Sequence, residues 1–514
     1  MNKKLLALIV ILATLALTST TITTAQAPTA YYVGFQIQNL STTNDATVVV
    51  SYYKQDGTGA STDSAYQQTI IIPAGRSKTV ICSLNTDYSS DILAPAPAIR
   101  GATSFVGSVI ISSDQPIVAI ANEAASVNNP YGSASYTGLA PSDLASTVYA
   151  PMIAHIGLPN TTINVQNPNS SPVTVTVQYI KGVYGNNYTA PPQTLPAYGS
   201  AIWTVPAGAL DASGRFLGSA KITSTGGNIG VVIDAIYATP GVPRYNARQS
   251  YNGFISGATK IVAPLVQKND NGVWYTGLQI MNLGPGSATV RVSYAGLSGS
   301  GTDTSCNPTT PVTGLNEPNF TLNENESKTI LTEFGGALDS VALSDVGCFR
   351  GAATIEVVDG SGKIAAIVSS AGQNKASVAI YKAFDPAVGT RTVSVPLIQK
   401  YLGGSGATRG WSTGIQIANV GTASATITGT FNVTCGGTPY TIVDAATGVN
   451  PGSSATFLQL NGFPVGSLGT RVNCLGSAVF TADQNIIGIV QQDFFGSPNP
   501  FTGDTLLAFE AFNQ

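Results

Sequence analysis

The residues able to do chemistry are few in this chain of 514 residues, which holds one histidine, His155, and five cysteines. A hydrolytic triad sets an imidazole between nucleophile and carboxylate, and a histidine-rich metal centre needs several rings, so a single histidine argues against both. No carboxylate pair recurs along the chain as glycoside hydrolysis would require, and no acidic loop has EF-hand spacing. Asn269-Asp270-Asn271-Gly272 resembles a calcium loop only superficially. It lies between two strand-like segments, where a hairpin turn is expected. Gly403-Gly404-Ser405-Gly406 lacks the lysine and following helix of a phosphate-binding loop and reads as a loop. The expectation is a protein that is not an enzyme, with no catalytic residues, no cofactor and no metal site.

Four of the cysteines sit in matching contexts. Cys348 directly precedes FRGAA and Cys474 directly precedes LGSAV, while Cys306 and Cys435 each follow an alternating apolar strand. In an exported protein this recurrence predicts disulfides Cys306–Cys348 and Cys435–Cys474. Zinc is the competing use, but two thiolates per copy without a neighbouring histidine do not complete a tetrahedral site. Cys82, in KTVICSL, is left over as a small buried hydrophobe, with an intermolecular bridge as the alternative. Trp274 and Trp411 open equivalent strands, with Tyr32 near the same place earlier. Such aromatics can stack on sugar rings, giving a candidate glycan contact, or pack against a neighbouring module.

These residues are carried by an internal repeat. YYVGFQIQN (31–39), WYTGLQIMN (274–282) and WSTGIQIAN (411–419) are copies of one string, and NTTINVQN (160–167) is a looser one. Their closing residues Asn39, Asn167, Asn282 and Asn419 stand 128, 115 and 137 residues apart. Each asparagine ends a strand, and its side-chain amide is expected to bond the backbone of the following turn. An alternating strand follows each (ATVVVSY, VTVTVQY, ATVRVSY, ASATITGT), then a turn and a further strand. Next comes a hairpin: FVGSVIISSDQPIVAIAN, FLGSAKITSTGGNIGVVID, FRGAATIEVVDGSGKIAAIV and LGSAVFTADQNIIGIV. The second to fourth copies are entered by proline-bearing strands, YAPMI, IVAPLVQK and VSVPLIQK, and proline confines these to sheet edges or bulges. The first copy has only AQAPTA before its opening strand and is expected to lack a complete edge strand. That leaves an open sheet edge.

Lys3 and Lys4, the uncharged apolar run Leu5 to Leu17 and the small residues ending Ala25-Gln26-Ala27 have the layout of a secretory signal peptide. Cleavage after Ala25 or after Ala27 satisfies the small-x-small rule, and Ala25 is the expected site because Pro28 directly follows the second. A retained anchor is the weaker alternative, since a membrane span takes about 20 apolar residues. The division is a signal peptide over 1–25 and β-sandwich modules over 26–143, 144–257, 258–390 and 391–514. The fold class is all-β, four tandem immunoglobulin-like sandwiches, with a closed barrel as the runner-up. Only 10% of residues are charged, the net charge is −3, and the basic residues are scattered, which excludes a nucleic-acid stripe. Sequons at Asn39, Asn160, Asn169, Asn187, Asn319, Asn325 and Asn432 are what an Asn-, Ser- and Thr-rich composition produces.

The GxQxxN-like strand, the Pro/Gly/Ser turn and the F-x-G-S plus S-S-D-Q-P-I-V-A-I hairpin resemble the immunoglobulin-like repeats of bacterial cell-surface and secreted proteins. Such modules serve as spacers, layers or adhesive stalks, and no functional residue carries over from the resemblance. The segment 144–257 departs from the pattern, with no Gly-x-Gln and no cysteine. The expected role is a secreted or cell-surface structural or adhesive protein, a surface-layer or filament subunit. Its partners would be copies of itself or other surface proteins and glycans, with no membrane span after signal cleavage. The alternative is a carbohydrate-binding array using the repeated aromatics.

Overall fold

The computed structural model describes residues 7–11, 31–100, 102, 104–125, 133–157, 159–237, 247–270, 272–299, 306, 315–333, 336–372, 377–403, 409–460, 468–495 and 506–513. Most of the expected signal peptide, residues 1–6 and 12–25, therefore lies outside the described residues. The fold is an all-β sandwich type, and the helical turns described, such as Ser64–Tyr66 and Pro141–Asp143, are three residues long. The chain divides into two compact units, Met1–Ile255 and Ser256–Gln514.

In the first unit one sheet runs β1 (Ala7–Ile11), β7 (Gly107–Ser113), β3 (Ala46–Lys54), β4 (Gln67–Ile72). Another runs β6 (Ile92–Leu93), β5 (Ser77–Ile81), β2 (Tyr31–Asn39), β8 (Ile117–Ala125), β9 (Ser133–Thr137). The same order returns further along. β10 (Thr147–His155) pairs β16 (Phe216–Thr225), which pairs β12 (Val173–Tyr184) with β13 (Tyr188–Thr189) and β14 (Gln193–Leu195) beside it. Then β15 (Ser200–Thr204), β11 (Asn160–Gln166), β17 (Gly230–Tyr237) and β18 (Ala247–Asn252) follow in order.

The second unit opens with β19 (Lys260–Lys268), β25 (Phe349–Gly360) and β21 (Ala288–Gly296), the last flanked by β22 (Leu315–Asn316) and β23 (Phe320–Leu322). Its partner sheet is β24 (Ser327–Leu331), β20 (Trp274–Gly284), β26 (Lys363–Gly372), β27 (Val378–Lys382). In the last set the hairpin is one long strand, β33 (Cys474–Phe495), which serves both halves. Its first part lies between β28 (Thr390–Lys400) and β30 (Ala425–Cys435), with β31 (Thr438–Val449) outside β30 and β35 (Phe512–Asn513) on β28. Its second part lies between β29 (Gly410–Asn419) and β34 (Leu507–Glu510), with β32 (Ser454–Leu458) on β29.

Alternation drives this packing. In β3, Ala46, Val48, Val50 and Tyr52 are buried while Thr47 is exposed, and they meet Phe35 and Ile37 of β2 in one core. Each such large side chain contributes about 1.5–3 kcal/mol on burial. The glycine of the F-x-G string sets how closely the hairpin strand approaches the alternating strand. A Cβ on Gly107 would stand 1.9 Å from the Tyr53 carbonyl oxygen, and one on Gly218, Gly351 or Gly476 would meet the corresponding carbonyl at 2.1 Å. Only glycine fits there.

The G-x-Q string is a strand-to-strand clip. Gln36 Nε2 donates to Ser77 Oγ at 2.8 Å, Gln279 to Ser327 at 3.2 Å and Gln416 to Ser454 at 2.7 Å. Thr329 and Thr456 donate back to the Gln279 and Gln416 carbonyls. In β11 the position is Asn164, which donates to Asp234 Oδ2 at 2.9 Å. The closing asparagines do what the strand ends require. Each is wholly buried and donates to a carbonyl of the following turn and to one at the end of a later strand, as Asn282 does to Gly286 and Leu322, while its Oδ1 accepts a turn N–H.

Both expected cysteine pairs are joined. Cys306 and Cys348 have Cα atoms 5.4 Å apart, and Cys435 and Cys474 are direct cross-strand partners on β30 and β33, 4.0 Å apart. Cys82 is free and half-buried against the first core, and burial beside Tyr52 pushes its thiol up to about 12. The four-residue string at 269–272 turns as expected, with the Gly272 N–H donating to the Asn269 carbonyl at 3.0 Å.

Candidate functional site

Of the proline-bearing strands only β19 borders its sheet, since β10 also meets β11 at His155 and β28 carries β35, but all three slip register at the proline. Ala150 lies opposite Ala220 but Ile153 opposite Gly218, Ala263 opposite Ala353 but Val266 opposite Gly351, and Val395 opposite Ala478 but Ile398 opposite Gly476. Proline has no N–H for the ladder, so the chain bulges and the next residue's polar backbone is left facing the core. A tyrosine from the opposite sheet takes it up. The Tyr251 hydroxyl of β18 accepts from the Met152 N–H at 3.2 Å and donates to the Met152 carbonyl at 2.7 Å. The Tyr381 hydroxyl of β27 accepts from the Leu265 N–H at 3.1 Å and donates to the Leu265 carbonyl.

Tyr251 stands opposite Ile233 and Tyr381 opposite Val368, and the same register is filled by Phe509 opposite Val490 and by Tyr136 of β9 opposite Ala121. Tyr136 is 3% exposed, and its hydroxyl has no hydrogen-bond partner among the described residues. The described residues of β1 pair with β7 from Ala7 opposite Ser113 to Ile11 opposite Val109, the position at which the other proline-bearing strands are about to bulge. The expectation of an incomplete first edge strand is thereby revised: the edge is covered for five residues, but by a segment that the sequence assigns to the signal peptide.

Tyr136 also adjoins a buried charge cluster. Arg248 Nη2 lies 2.5 Å from Glu123 Oε2 and 2.8 Å from Asp234 Oδ2, and Ser250 donates to Asp234 Oδ1 at 2.6 Å. Two carboxyl groups share one guanidinium away from water, and burial pushes Glu123 up to about 8 against the pull of Arg248. The second unit has a related pair, with Arg350 Nε and Nη2 on the Asp270 carboxylate at 2.7 and 2.6 Å.

The sequence candidates are scattered. His155 ends β10 opposite Asn160, and among the described residues no three His, Cys, Asp or Glu side chains gather as a metal set. Trp274 is half-buried against Ala379, Leu506 and Ala508, beside a cavity of about 220 Å³ in the second unit that Gln267, Arg350 and Gln492 also line. Trp411 is half-buried, edge-to-face on Phe494 at 5.8 Å. Tyr32 belongs to β2, and its side chain lies outside the described residues.

The tyrosine clamps and both buried charge clusters went unread in the sequence. A signal for the clamps exists: Tyr136-Thr-Gly-Leu139, Tyr251-Asn-Gly-Phe254, Tyr381-Lys-Ala-Phe384 and Phe509-Glu-Ala-Phe512 are one further repeated string. No helix among the described residues is long and apolar enough to cross a membrane. No family model matches the chain, and no curated protein does.

Proposed function

We propose that this is a non-catalytic, exported structural or adhesive protein that builds a cell-surface layer or filament. The observation that carries the proposal is the β7 edge, whose outer strand β1 belongs to the segment read as a signal peptide. Export would strip that cover and leave a row of backbone donors and acceptors ready to pair with another chain. A chain with only 10% charged residues and a net charge of −3 lets copies approach with little repulsion. Immunogold electron microscopy of cells is the test. A labelled lattice, fibre or coat is the expected result, and label confined to the cell interior or to free protein in the medium overturns the proposal.

The cavity beside Trp274 favours a second reading, binding of a saccharide on that indole. Glycan-array binding that is lost in Trp274→Ala and Trp411→Ala would support it, and an array without signal would dismiss it.

A further inference from the structure

We infer that the saccharide site of this chain is the cleft of the second unit lined by β20 and β33, which takes a single uncharged sugar ring against the Trp274 indole and holds its hydroxyls through Gln267 and Gln491. The inference rests on the saccharide reading above and confines it to Trp274.

The two tryptophans open equivalent strands but stand in different surroundings. Trp411 lies opposite Phe494 on β33, and the two rings pack edge-to-face at 5.8 Å. Trp274 lies opposite Gly372 on β26, which brings no side chain to the indole, and it forms a wall of the cavity of about 220 Å³. Leu458 of β32 and Ile489 of β33 add apolar lining. The C–H groups on one face of a pyranose carry partial positive charge and suit the negative face of an indole, while the hydroxyls around its rim need polar partners. A volume below the roughly 300–1,000 Å³ of drug-sized sites admits one ring and not a chain of them.

Those polar partners are present in the lining. Gln267 of β19 is 7% exposed, and its Nε2 donates to Asp270 Oδ2 at 2.7 Å. A carboxylate only accepts, so this bond fixes which way the amide points. Oε1 is left as a buried acceptor with no hydrogen-bond partner among the described residues. From β33, Gln491 brings the complement, a buried Nε2 donor likewise without a partner among them. Gln416, also in the lining, is already held by Ser454 and Thr456. An unmet acceptor and an unmet donor on one cavity suit hydroxyls, each of which donates and accepts, and pairing them recovers the cost of burying them alone. Charge decides the kind of sugar. Arg350 sets Nε and Nη2 on the Asp270 carboxylate at 2.7 and 2.6 Å, and the remaining charged residue of the lining is Asp493. Two carboxyl-bearing side chains against one guanidinium leave no surplus cation for the carboxylate of a uronic or sialic acid, so the ring that fits is neutral.

The experiment uses the full chain with glucose, galactose, mannose and N-acetylglucosamine as probes and glucuronate as the charged comparison, followed by saturation-transfer NMR and calorimetry. At least one neutral sugar is expected to bind with one site per chain, and glucuronate at least tenfold more weakly. Trp274→Ala should abolish binding, whereas Trp411→Ala should leave the affinity unchanged. Gln491→Met gives up no hydrogen bond among the described residues and should weaken binding about tenfold, the worth of one well-made hydrogen bond. That variant keeps the test decisive if Trp274→Ala folds poorly. The bound sugar should raise the thermal transition of the second unit and leave that of the first unmoved. Failure of all four neutral sugars to bind overturns the inference, as does an affinity that Gln491→Met leaves unchanged or glucuronate bound as tightly as the neutral sugars. Glycan-array binding that survives Trp274→Ala and falls in Trp411→Ala would sink this site and leave the saccharide reading standing. An array without signal, together with no uptake of the four sugars, would sink both.

Discussion

Tyr251→Phe and Tyr136→Phe are the same chemical change in the same register of the first unit, and the structure gives them opposite signs. The Tyr251 hydroxyl makes two hydrogen bonds to Met152, so its removal leaves a buried N–H and a buried C=O unpaired beside Pro151. At about 1–3 kcal/mol per stranded group, with some relief from water or relaxation, the expected loss is about 2–4 kcal/mol. The Tyr136 hydroxyl has no partner among the described residues to strand, and deleting it removes a desolvation cost, for a change between zero and a gain of about 1 kcal/mol. Both residues lie in Met1–Ile255, so one unfolding transition reports both. Urea unfolding of dilute mature chain, monitored by tyrosine fluorescence and circular dichroism, gives the comparison. Equal losses in the two variants would refute the clamp argument, because ring packing rather than the hydroxyl would then account for both.

Asn282→Ala strands the Leu322 and Gly286 carbonyls and the Gly284 N–H, and is expected to cost about 2–4 kcal/mol in the second unit by thermal unfolding. Asn39 is a sequon by sequence, but its Nδ2 is buried and bonded to Asn44 and Ile72, so glycopeptide mass spectrometry should find it unmodified. Reducing the two disulfides, which span 42 and 39 residues, should lower the second unit's stability by about 3–4 kcal/mol each while leaving the first unit's transition in place. Glu123, raised from 4.5 to about 8, keeps its proton in the folded chain over a range where the unfolded chain has lost it. Its contribution is therefore present below pH 4.5 and falls as pH rises toward 8. Glu123→Gln should flatten the first unit's stability across that window.

Much of the architecture was legible because it depends on short-range pattern. Period-two alternation in ATVVVSY and its copies marks one buried face, and the buried Ala46, Val48, Val50 and Tyr52 follow it. The asparagine caps were legible for a similar reason, since the donor and the turn it binds are neighbours in sequence. The two cysteine pairs were found through recurrence, and the proline strands through the missing N–H. What escaped was chemistry assembled across sheets. Arg248 meets Glu123 and Asp234 from separate strands, and none of the three sits in a string that announces a partner. Asp270 looked like a turn residue because its neighbours are Asn and Gly, yet it turns inward to hold Arg350, 80 residues away.

The tyrosines show the difference most sharply, because a clamp is defined by what it binds and not by its own type. Tyr251 and Tyr381 each satisfy a backbone freed by a proline about 100 residues earlier in the chain, so neither end of the contact is conspicuous alone. Phe509 holds the same register without a hydroxyl, which shows that the ring suffices for packing there. A hydroxyl at Tyr136 is then a cost that no described partner offsets, since burying an unpaired polar group beside Glu123 and Asp234 is worse than burying phenylalanine.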